Sequence, residues 1–267
     1  MILGQKENIL IDAGMGLSRA RKILKNFSIN KILLSHCHED HTSCCKYFKS
    51  SKILVHKLDK ENVESISNLQ KLYGLNNEKY DAIFKSFMLS LGYREINISD
   101  TFDDGQIFDL GNLKIQVIHT PGHSAGHCCF LIYPNLMFLS DIDLTSFGPW
   151  YGATDGNIDN FINSIKKIIK FNPKIAISSH KGVFYNGIRE KLKIFLSKFE
   201  ERDQKILENL KQKKTLDGLT NKLLIYGKNP NQDELLLIAE KFMIKKHLER
   251  LIKNKKIQKK DDFYSLI

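Results

Sequence analysis

The sequence predicts an α/β protein with a small helical region at its C-terminal end. Over about the first 185 residues, short runs rich in β-branched residues alternate with helical patterns, and several of these runs are continuously apolar. Continuously apolar runs are typical of strands covered on both faces. From about Phe195 the pattern becomes entirely helical. We therefore expect a layered α/β domain over residues 1–194 and a helical domain over residues 195–267.

The predicted elements of the first domain follow one another along the chain. Amphipathic periodicity predicts helices at 17–27 and 158–171, and a helical insertion with an apolar second half at 58–91. Strands are predicted at 8–14, 31–36, 52–56, 113–120, 127–133, 136–141 and 174–180.

The second domain contains three helical stretches followed by "QKKDDFYSLI", which could form a small wing. This order resembles a winged-helix domain. The alternative is a helical appendage that packs on the first domain. Both interpretations fit the pattern, and the winged helix is favoured.

Composition and charge narrow the class of protein. Five cysteines, including two adjacent pairs, favour a reduced intracellular protein over a disulfide framework. The amino terminus is neither a secretory signal nor a membrane span, so a cytoplasmic location with no membrane contact is the expectation. The net charge is +11, and residues 201–267 carry 16 basic against 10 acidic side chains. A solvated basic surface is favoured over nucleic-acid binding, which stays open.

Histidines and aspartates gather at the ends of the predicted strands. The segment "LLSHCHEDHTSCC" at 33–45 follows an apolar run, "TPGHSAGH" lies between two later strands, and two further strands end in "LSD" and "ISSH". In a layered α/β fold such positions converge at one edge of the sheets. The converging residues are His36, His38, Asp40, His41, His123, Asp141 and His180.

These seven side chains are suited to holding two metal ions. Histidine nitrogens and carboxylate oxygens are ligands that Zn²⁺ accepts. Two metals about 3.5–4 Å apart form a recognised hydrolytic arrangement, in which the metals lower the pKa of water and polarise the scissile oxygen. Zinc is the favoured metal, with iron and manganese as alternatives, because these ligands suit all three.

The motif H-x-H-x-D-H, followed by TPGHS, an Asp after one strand and a His after another, resembles the metallo-β-lactamase superfamily over about residues 1–185. The resemblance implies an αββα sandwich with a dinuclear metal centre at its open edge. It implies that the first metal is held by His36, His38 and His123, and the second by Asp40, His41 and His180. Asp141 would bridge the two metals and, with Asp40, take part in catalysis.

Other residues receive roles from their position near these motifs. Asp12, in "LIDAG", matches a family Asp that orients ligands from behind. Trp150 and Tyr151 follow the bridging Asp and are expected to border the substrate pocket; packing of a Gly–Pro loop is the alternative. Glu39 is expected to point to solvent, and Cys37 to pack in the interior.

The superfamily contains several kinds of hydrolase, so the substrate stays open. We expect hydroxide supplied at the metals to attack a small ester, thioester or related acyl substrate. A single-strand endoribonuclease or phosphodiesterase with the same centre is the second hypothesis, and a non-catalytic ligand-binding module the third. "HTSCC" replaces the H-x-G-G common in thioesterases and lactonases of the family, and relatives have one or two strands before "NILIDAG". Neither the oligomeric state nor nucleic-acid binding by the second domain follows from the sequence.

Overall fold

Two β-sheets packed face to face form the centre of the molecule. The computed structural model describes residues 1–228 and 233–267. The first sheet contains, in spatial order, β1 (Ile2–Leu3), β2 (Asn8–Ile11), β3 (Lys31–Leu33), β4 (Lys52–His56) and β5 (Asp100–Phe102). Strands β2 to β5 run parallel and β1 is antiparallel to β2. The carboxyl ends of β2, β3 and β4 therefore lie at one edge of this sheet.

The second sheet is largely antiparallel. Its strands lie side by side in the order in which they occur along the chain: β6 (Ile107–Asp109), β7 (Lys114–His119), β8 (Cys128–Ile132), β9 (Leu136–Ser140), β10 (Ile175–Ser178) and β11 (Gly182–Phe184). Strands β9 and β10 are parallel to each other, while the other neighbours are antiparallel. Strands β7, β9 and β10 consequently all end at the same edge.

Helices cover the outer face of each sheet. Along the chain these are α1 (Leu17–Asn26), α2 (Glu39–Thr42), α3 (Lys60–Glu64), α4 (Ile66–Leu72), α5 (Glu78–Ser90) and α6 (Ile158–Phe171), with a 3-10 turn at Cys45–Tyr47. The apolar faces of α1, α4 and α5 pack on the first sheet through Ala20, Leu69 and Phe84. Helix α6 packs on the second sheet through Phe161 and Ile165.

The apolar layer between the sheets joins them. Leu33 and Leu54 of the first sheet pack there with Val117 and Phe130 of the second. Successive strand residues point to opposite faces, so Cys128 faces this layer while Cys129 faces the outer helices. The result is the predicted four-layer αββα sandwich.

The C-terminal part contains α7 (Ile188–Asn209), β12 (Lys214–Thr215), α8 (Leu216–Thr220), α9 (Glu234–Lys253), β13 (Ile257–Lys260) and β14 (Phe263–Leu266). Its strands form a small sheet in the order β12-β14-β13. Helix α7 runs across the predicted boundary between residues 194 and 195, because the chain is already helical from Ile188. The division into two domains and the winged-helix interpretation stay predictions.

The predicted elements agree well with the observed ones. The helix predicted at 158–171 has those bounds, and the insertion at 58–91 contains α3, α4 and α5. Some observed strands are shorter than predicted because their last residues leave the sheet and enter the site. The run at 31–36, for example, is a strand only to Leu33. Strands β5, β6 and β11 were not predicted because three residues are too few to establish a period. No helix among the described residues is long and apolar enough to cross a membrane.

Candidate metal centre

The loops that leave the carboxyl ends of both sheets meet at one edge of the sandwich. Loops after β2 and β3 approach from the first sheet, and loops after β7, β9 and β10 approach from the second. They bring together all seven side chains predicted as ligands. These lie in three overlapping groups with potential ligand atoms within 4.8 Å of one another: His36, His38 and His123; His36, Asp40 and His41; and His41, Asp141 and His180.

Three buried imidazoles form the first group. His36 Nε2 lies 3.0 Å from His38 Nδ1 and 3.1 Å from His123 Nε2, and His38 Nδ1 lies 2.9 Å from His123 Nε2. Nitrogens bonded to one Zn²⁺ at about 2.0–2.1 Å must themselves lie only about 3–3.5 Å apart. The spacing of the three nitrogens therefore suits a shared ion.

Hydrogen bonds on the far side of two rings determine which nitrogen carries the proton. His123 Nδ1 lies 2.9 Å from the carbonyl oxygen of Trp150, which can only accept, so Nδ1 donates and, in the neutral ring, Nε2 carries the lone pair. The Ser35 hydroxyl donates to Asp12 and accepts from Ser140, so at 3.0 Å it accepts from His36 Nδ1. Two lone pairs thus face each other 3.1 Å apart. A cation between them removes this repulsion.

The other four candidate ligands, two imidazoles and two carboxylates, lie together and form what we call the second group. His41 Nε2 lies 3.1 Å from Asp141 Oδ1 and 3.6 Å from Asp40 Oδ2. His180 Nε2 lies 3.4 Å from Asp141 Oδ2 and 3.7 Å from Asp40 Oδ2. Asp141 Oδ2 is also 3.4 Å from His123 Nε2, so this carboxylate lies between the two groups.

Asp12 accepts a hydrogen bond from the side of the His41 ring that faces away from the other candidate ligands. Its Oδ2 accepts from His41 Nδ1 at 2.8 Å and from the Ser35 hydroxyl at 2.8 Å, and its Oδ1 accepts from the Ser35 amide at 2.7 Å. On the opposite side of the ring, His41 Nε2 faces Asp141 Oδ1 at 3.1 Å. Both His41 Nε2 and Asp141 Oδ1 are buried, and among the described residues they form a charged contact with each other but no well-aligned hydrogen bond. Buried polar atoms need a partner, and a metal ion fits both.

Electrostatics divide the histidines into two kinds. Burial, reinforced by the neighbouring imidazoles, holds the pKa of His36 and His38 well below the ordinary value. Burial also opposes protonation of His41, but Asp141 and Asp12 outweigh it and hold its pKa well above that value. A hydrogen bond with Asp141 raises the pKa of His180. His36 and His38 are therefore kept neutral, while the second group is an array of opposite charges.

A buried carboxylate that sequence reasoning missed joins the two main loops of the site. Asp59, three residues beyond β4, accepts from the Cys37 amide at 3.0 Å, the Ser124 hydroxyl at 2.9 Å and the Gly126 amide at 2.7 Å. Burial, together with Asp155, raises the pKa of Asp59 to about 6. Its position beyond the carboxyl end of a parallel strand is the signal that could have identified it.

Five of the seven candidate metal ligands line a cavity of about 480 Å³: His38, Asp40, His123, Asp141 and His180. Trp150 lies in its wall, where the sequence placed it, together with Tyr73 and Tyr226. Tyr151 does not line it, and its prediction as a pocket residue is wrong. Its side chain is buried, and its hydroxyl lies 2.6 Å from His247 Nε2 and accepts from Arg202 at 3.0 Å.

The two residues that separate ligands in the histidine motif, Cys37 and Glu39, lie in different surroundings. Cys37 is fully buried, as expected for a packing residue. Glu39 does not point to solvent, and that prediction is wrong: its Oε2 accepts from the Tyr73 hydroxyl at 2.5 Å. Tyr73 belongs to the helical insertion, so this contact links the insertion to the metal-binding loop. Burial and the neighbouring Asp40 raise the pKa of Glu39.

Comparison with known proteins agrees with this architecture. The family model of the metallo-beta-lactamase superfamily matches residues 1–180. A metallo-beta-lactamase family protein of Thermus thermophilus, TTHA1429, superposes with a TM-score of 0.72 over 100% of this chain and 92% of that one, at 18% identity. The chain belongs to the metallo-beta-lactamase superfamily.

Two curated relatives are similar in sequence. An atrochrysone carboxyl ACP thioesterase of Aspergillus fumigatus is 24% identical over 80% of this chain and 61% of its own length. The metallo-beta-lactamase fold-containing protein ST1585 of Sulfurisphaera tokodaii is 29% identical over 75% of this chain and 78% of its own. The match covers between 43% and 61% of the thioesterases and lactamase-like proteins that score highest. The chain thus spans about half the length of those relatives.

Proposed function

We propose that this protein is a dinuclear metal-dependent hydrolase acting on a small ester or thioester. One ion would be held by the three imidazoles of the first group, and the other by Asp40, His41 and His180, with Asp141 between them. The observation that carries the proposal is the lone pairs of His36 and His123 facing each other 3.1 Å apart in a buried site. A divalent cation would satisfy both lone pairs and the nearby Nδ1 of His38 at once.

The residues around the proposed centre would have different roles in hydrolysis. Divalent ions at such a centre supply Lewis acidity and lower the pKa of bound water. Asp12, Ser35 and the Trp150 carbonyl fix the ring orientation of the histidines, so little reorganisation is needed when substrate binds. Asp141, which lies between the two groups of candidate ligands, would keep them at a fixed distance from each other. Asp40, whose side chain is half exposed beside the cavity, is placed to take up the proton released by the attacking water.

The lining of the cavity favours an acyl substrate over RNA. In the part of the chain that the structure describes, the cavity is lined by the carboxylates of Glu39, Asp40, Asp141 and Asp143, and by no Lys or Arg. A polyanion gains affinity from basic contacts to its phosphates, which this wall does not offer. The thioesterase name of the Aspergillus relative agrees with an acyl substrate.

Metal analysis combined with an activity panel tests the proposal. Protein purified from zinc-supplemented medium is assayed on thioesters, lactones, bis-p-nitrophenyl phosphate and short RNA, and the assays are repeated with iron and manganese. We expect about two metal equivalents and the highest turnover on a thioester or ester. Less than one equivalent would contradict the dinuclear centre. Full metal loading with no activity would favour the ligand-binding module, and RNA cleavage that weakens steeply with salt would favour the ribonuclease.

A further inference from the structure

A second cavity lies beside the metal site and has no role in the chemistry described above. Its volume is about 310 Å³, at the small end of ligand pockets. The helical insertion contributes Phe84 and Phe87 to one side, and α9 contributes Leu236 and Ala239 to the other. It is thus formed between two parts of the chain that lie outside the sheets.

The two cavities share a wall. Glu39, Tyr73, Trp150 and Tyr226 line both of them. The polar atoms of these side chains are paired within the wall: the Tyr73 hydroxyl donates to Glu39, and Trp150 Nε1 donates to the Tyr226 hydroxyl at 2.9 Å. What the wall presents to either cavity is therefore mainly aromatic surface.

The metal ligands lie close to this wall. The ring of His38 stacks on Tyr73 with 5.4 Å between centroids, and its edge meets Trp150 at the same distance. A molecule whose reacting group lies at the metals would therefore have to extend over this shared wall to reach the second cavity.

The chemistry of the lining identifies the occupant. Its described residues are mostly aliphatic or aromatic, and its charged members, Glu39 and Asp233, are acids. Carboxylates repel an anionic group, and apolar surface gives no hydrogen bonds to a sugar or peptide. Burial of an uncharged hydrocarbon group is favourable, by about three- to fourfold in affinity per methylene.

We infer that the second cavity binds the uncharged, apolar acyl chain of the substrate while the scissile carbonyl lies at the metals. The placement of the carbonyl at the metals rests on the proposed hydrolase function, whereas the binding of the acyl chain in the second cavity does not. The substrate class becomes medium-chain or arylalkyl acyl esters and thioesters rather than acetyl or anionic acyl groups.

Binding can be tested without catalysis because Trp150 is the one tryptophan of the chain. Octanamide, which carries the chain but is a poor substrate, is titrated into metal-free and metal-loaded protein while tryptophan fluorescence is followed. We expect a saturable change with octanamide at concentrations at least 100-fold below those needed for acetamide. Equal effects of the two amides would overturn the inference.

Two pocket variants and one control locate the binding site. Ala239→Phe fills the cavity and should weaken octanamide binding at least tenfold, whereas Phe87→Ala enlarges it and should shift preference toward decanamide. Lys245→Ala, an exposed change on the same helix, should bind octanamide like the wild type. Circular dichroism shows whether each variant folds. If Ala239→Phe does not fold, the chain-length preference of Phe87→Ala still tests the inference. Unchanged chain-length preference in the folded variants would contradict the inference.

Activity separates this inference from the proposed function. With N-acetylcysteamine thioesters from acetyl to decanoyl, kcat/KM should rise at least tenfold with chain length, and Ala239→Phe should flatten that rise. Octanamide binding without hydrolysis of any thioester would leave the cavity assigned and contradict the hydrolase. Hydrolysis with no chain-length preference and no octanamide binding would support the hydrolase and overturn the assignment of the cavity.

Discussion

The two halves of the candidate metal centre differ in their exposure to solvent. His36, His38 and His123 have relative exposures of 0%, 4% and 2%. On the other half, the side chains of Asp40 and His180 are 50% and 43% exposed. Burial of neutral ligands favours firm binding, because a released ion leaves lone pairs unsatisfied in a dry site. Ligands exposed to solvent lose less when the ion leaves.

The halves also differ in charge. His36 and His38 of the first group are kept neutral by burial, whereas His41 and His180 lie among carboxylates. A metal-free second half can hold protons instead of an ion, and a metal-free first half cannot do so without cost. If the proposed dinuclear centre forms, we therefore expect the first half to retain its ion more firmly than the second, which lies beside the cavity.

The largest effect is expected from His36→Ala, which removes a side chain shared by two of the three overlapping groups of potential ligands. The first ion should be lost and kcat/KM should fall by at least about 10³-fold, since a metal supplies several kcal/mol of transition-state stabilisation. Metal content by mass spectrometry and a thioester assay measure these effects. Glu39→Gln, in the same motif, should retain both ions. Retention of two ions by His36→Ala would contradict the assignment.

A smaller effect, confined to one half, is expected from His180→Ala. The loss of affinity for one ion should exceed the 10–100-fold caused by removing a supporting residue, because a ligand itself is removed. The other ion should stay bound. Titration with a competing chelator should show one ion released early and one released as in the wild type. Early release of both ions would mean that the halves are not independent.

Asp12→Asn tests the support behind His41 and should have a smaller effect again. The amide cannot serve both Ser35 and His41 as the carboxylate does, so affinity for the second ion should fall about 10–100-fold. Asp100→Asn, an exposed change at the end of the same sheet, is the matched control. Equal chelator titrations for the two variants would show that Asp12 does not support the site.

The sequence predicted much of this centre because of a general property of parallel strands. His36, Asp141 and His180 follow β3, β9 and β10, whose carboxyl ends share an edge, so their convergence could be read from the order of apolar runs. The lengths of the strands were less predictable, since the last residues of each run leave the ladder to enter the site.

What could not be predicted depends on contacts between distant segments. Glu39 is held by Tyr73 of the insertion, and Tyr151 is buried by Arg202 of α7 and His247 of α9, 96 residues further along the chain. No local pattern shows which helices will pack over a loop. Asp59 is intermediate: the strand-end rule marks its position, but its role depends on two loops that meet only in the fold.

The smallest effect, and the most direct test of the difference in charge, is the titration of the histidine rings in metal-free protein. A lowered pKa means that His36 and His38 stabilise the fold above pH about 6.5 and lose that contribution as pH falls. A raised pKa means that the contribution of His41 is complete below that pH and is lost as pH rises through the raised value.

Nuclear magnetic resonance of ¹⁵N-labelled histidine should therefore show His36 and His38 neutral at pH 6 while His41 and His180 carry protons. Asp12→Asn should lower the pKa of His41, because one of the carboxylates that favour its protonation is neutralised. It should have little effect on His38, whose pKa is set by burial and by His123 rather than by Asp12. If all four rings titrated together near the ordinary value, the two halves would not differ in charge, and the expected difference in metal retention would lose its electrostatic basis.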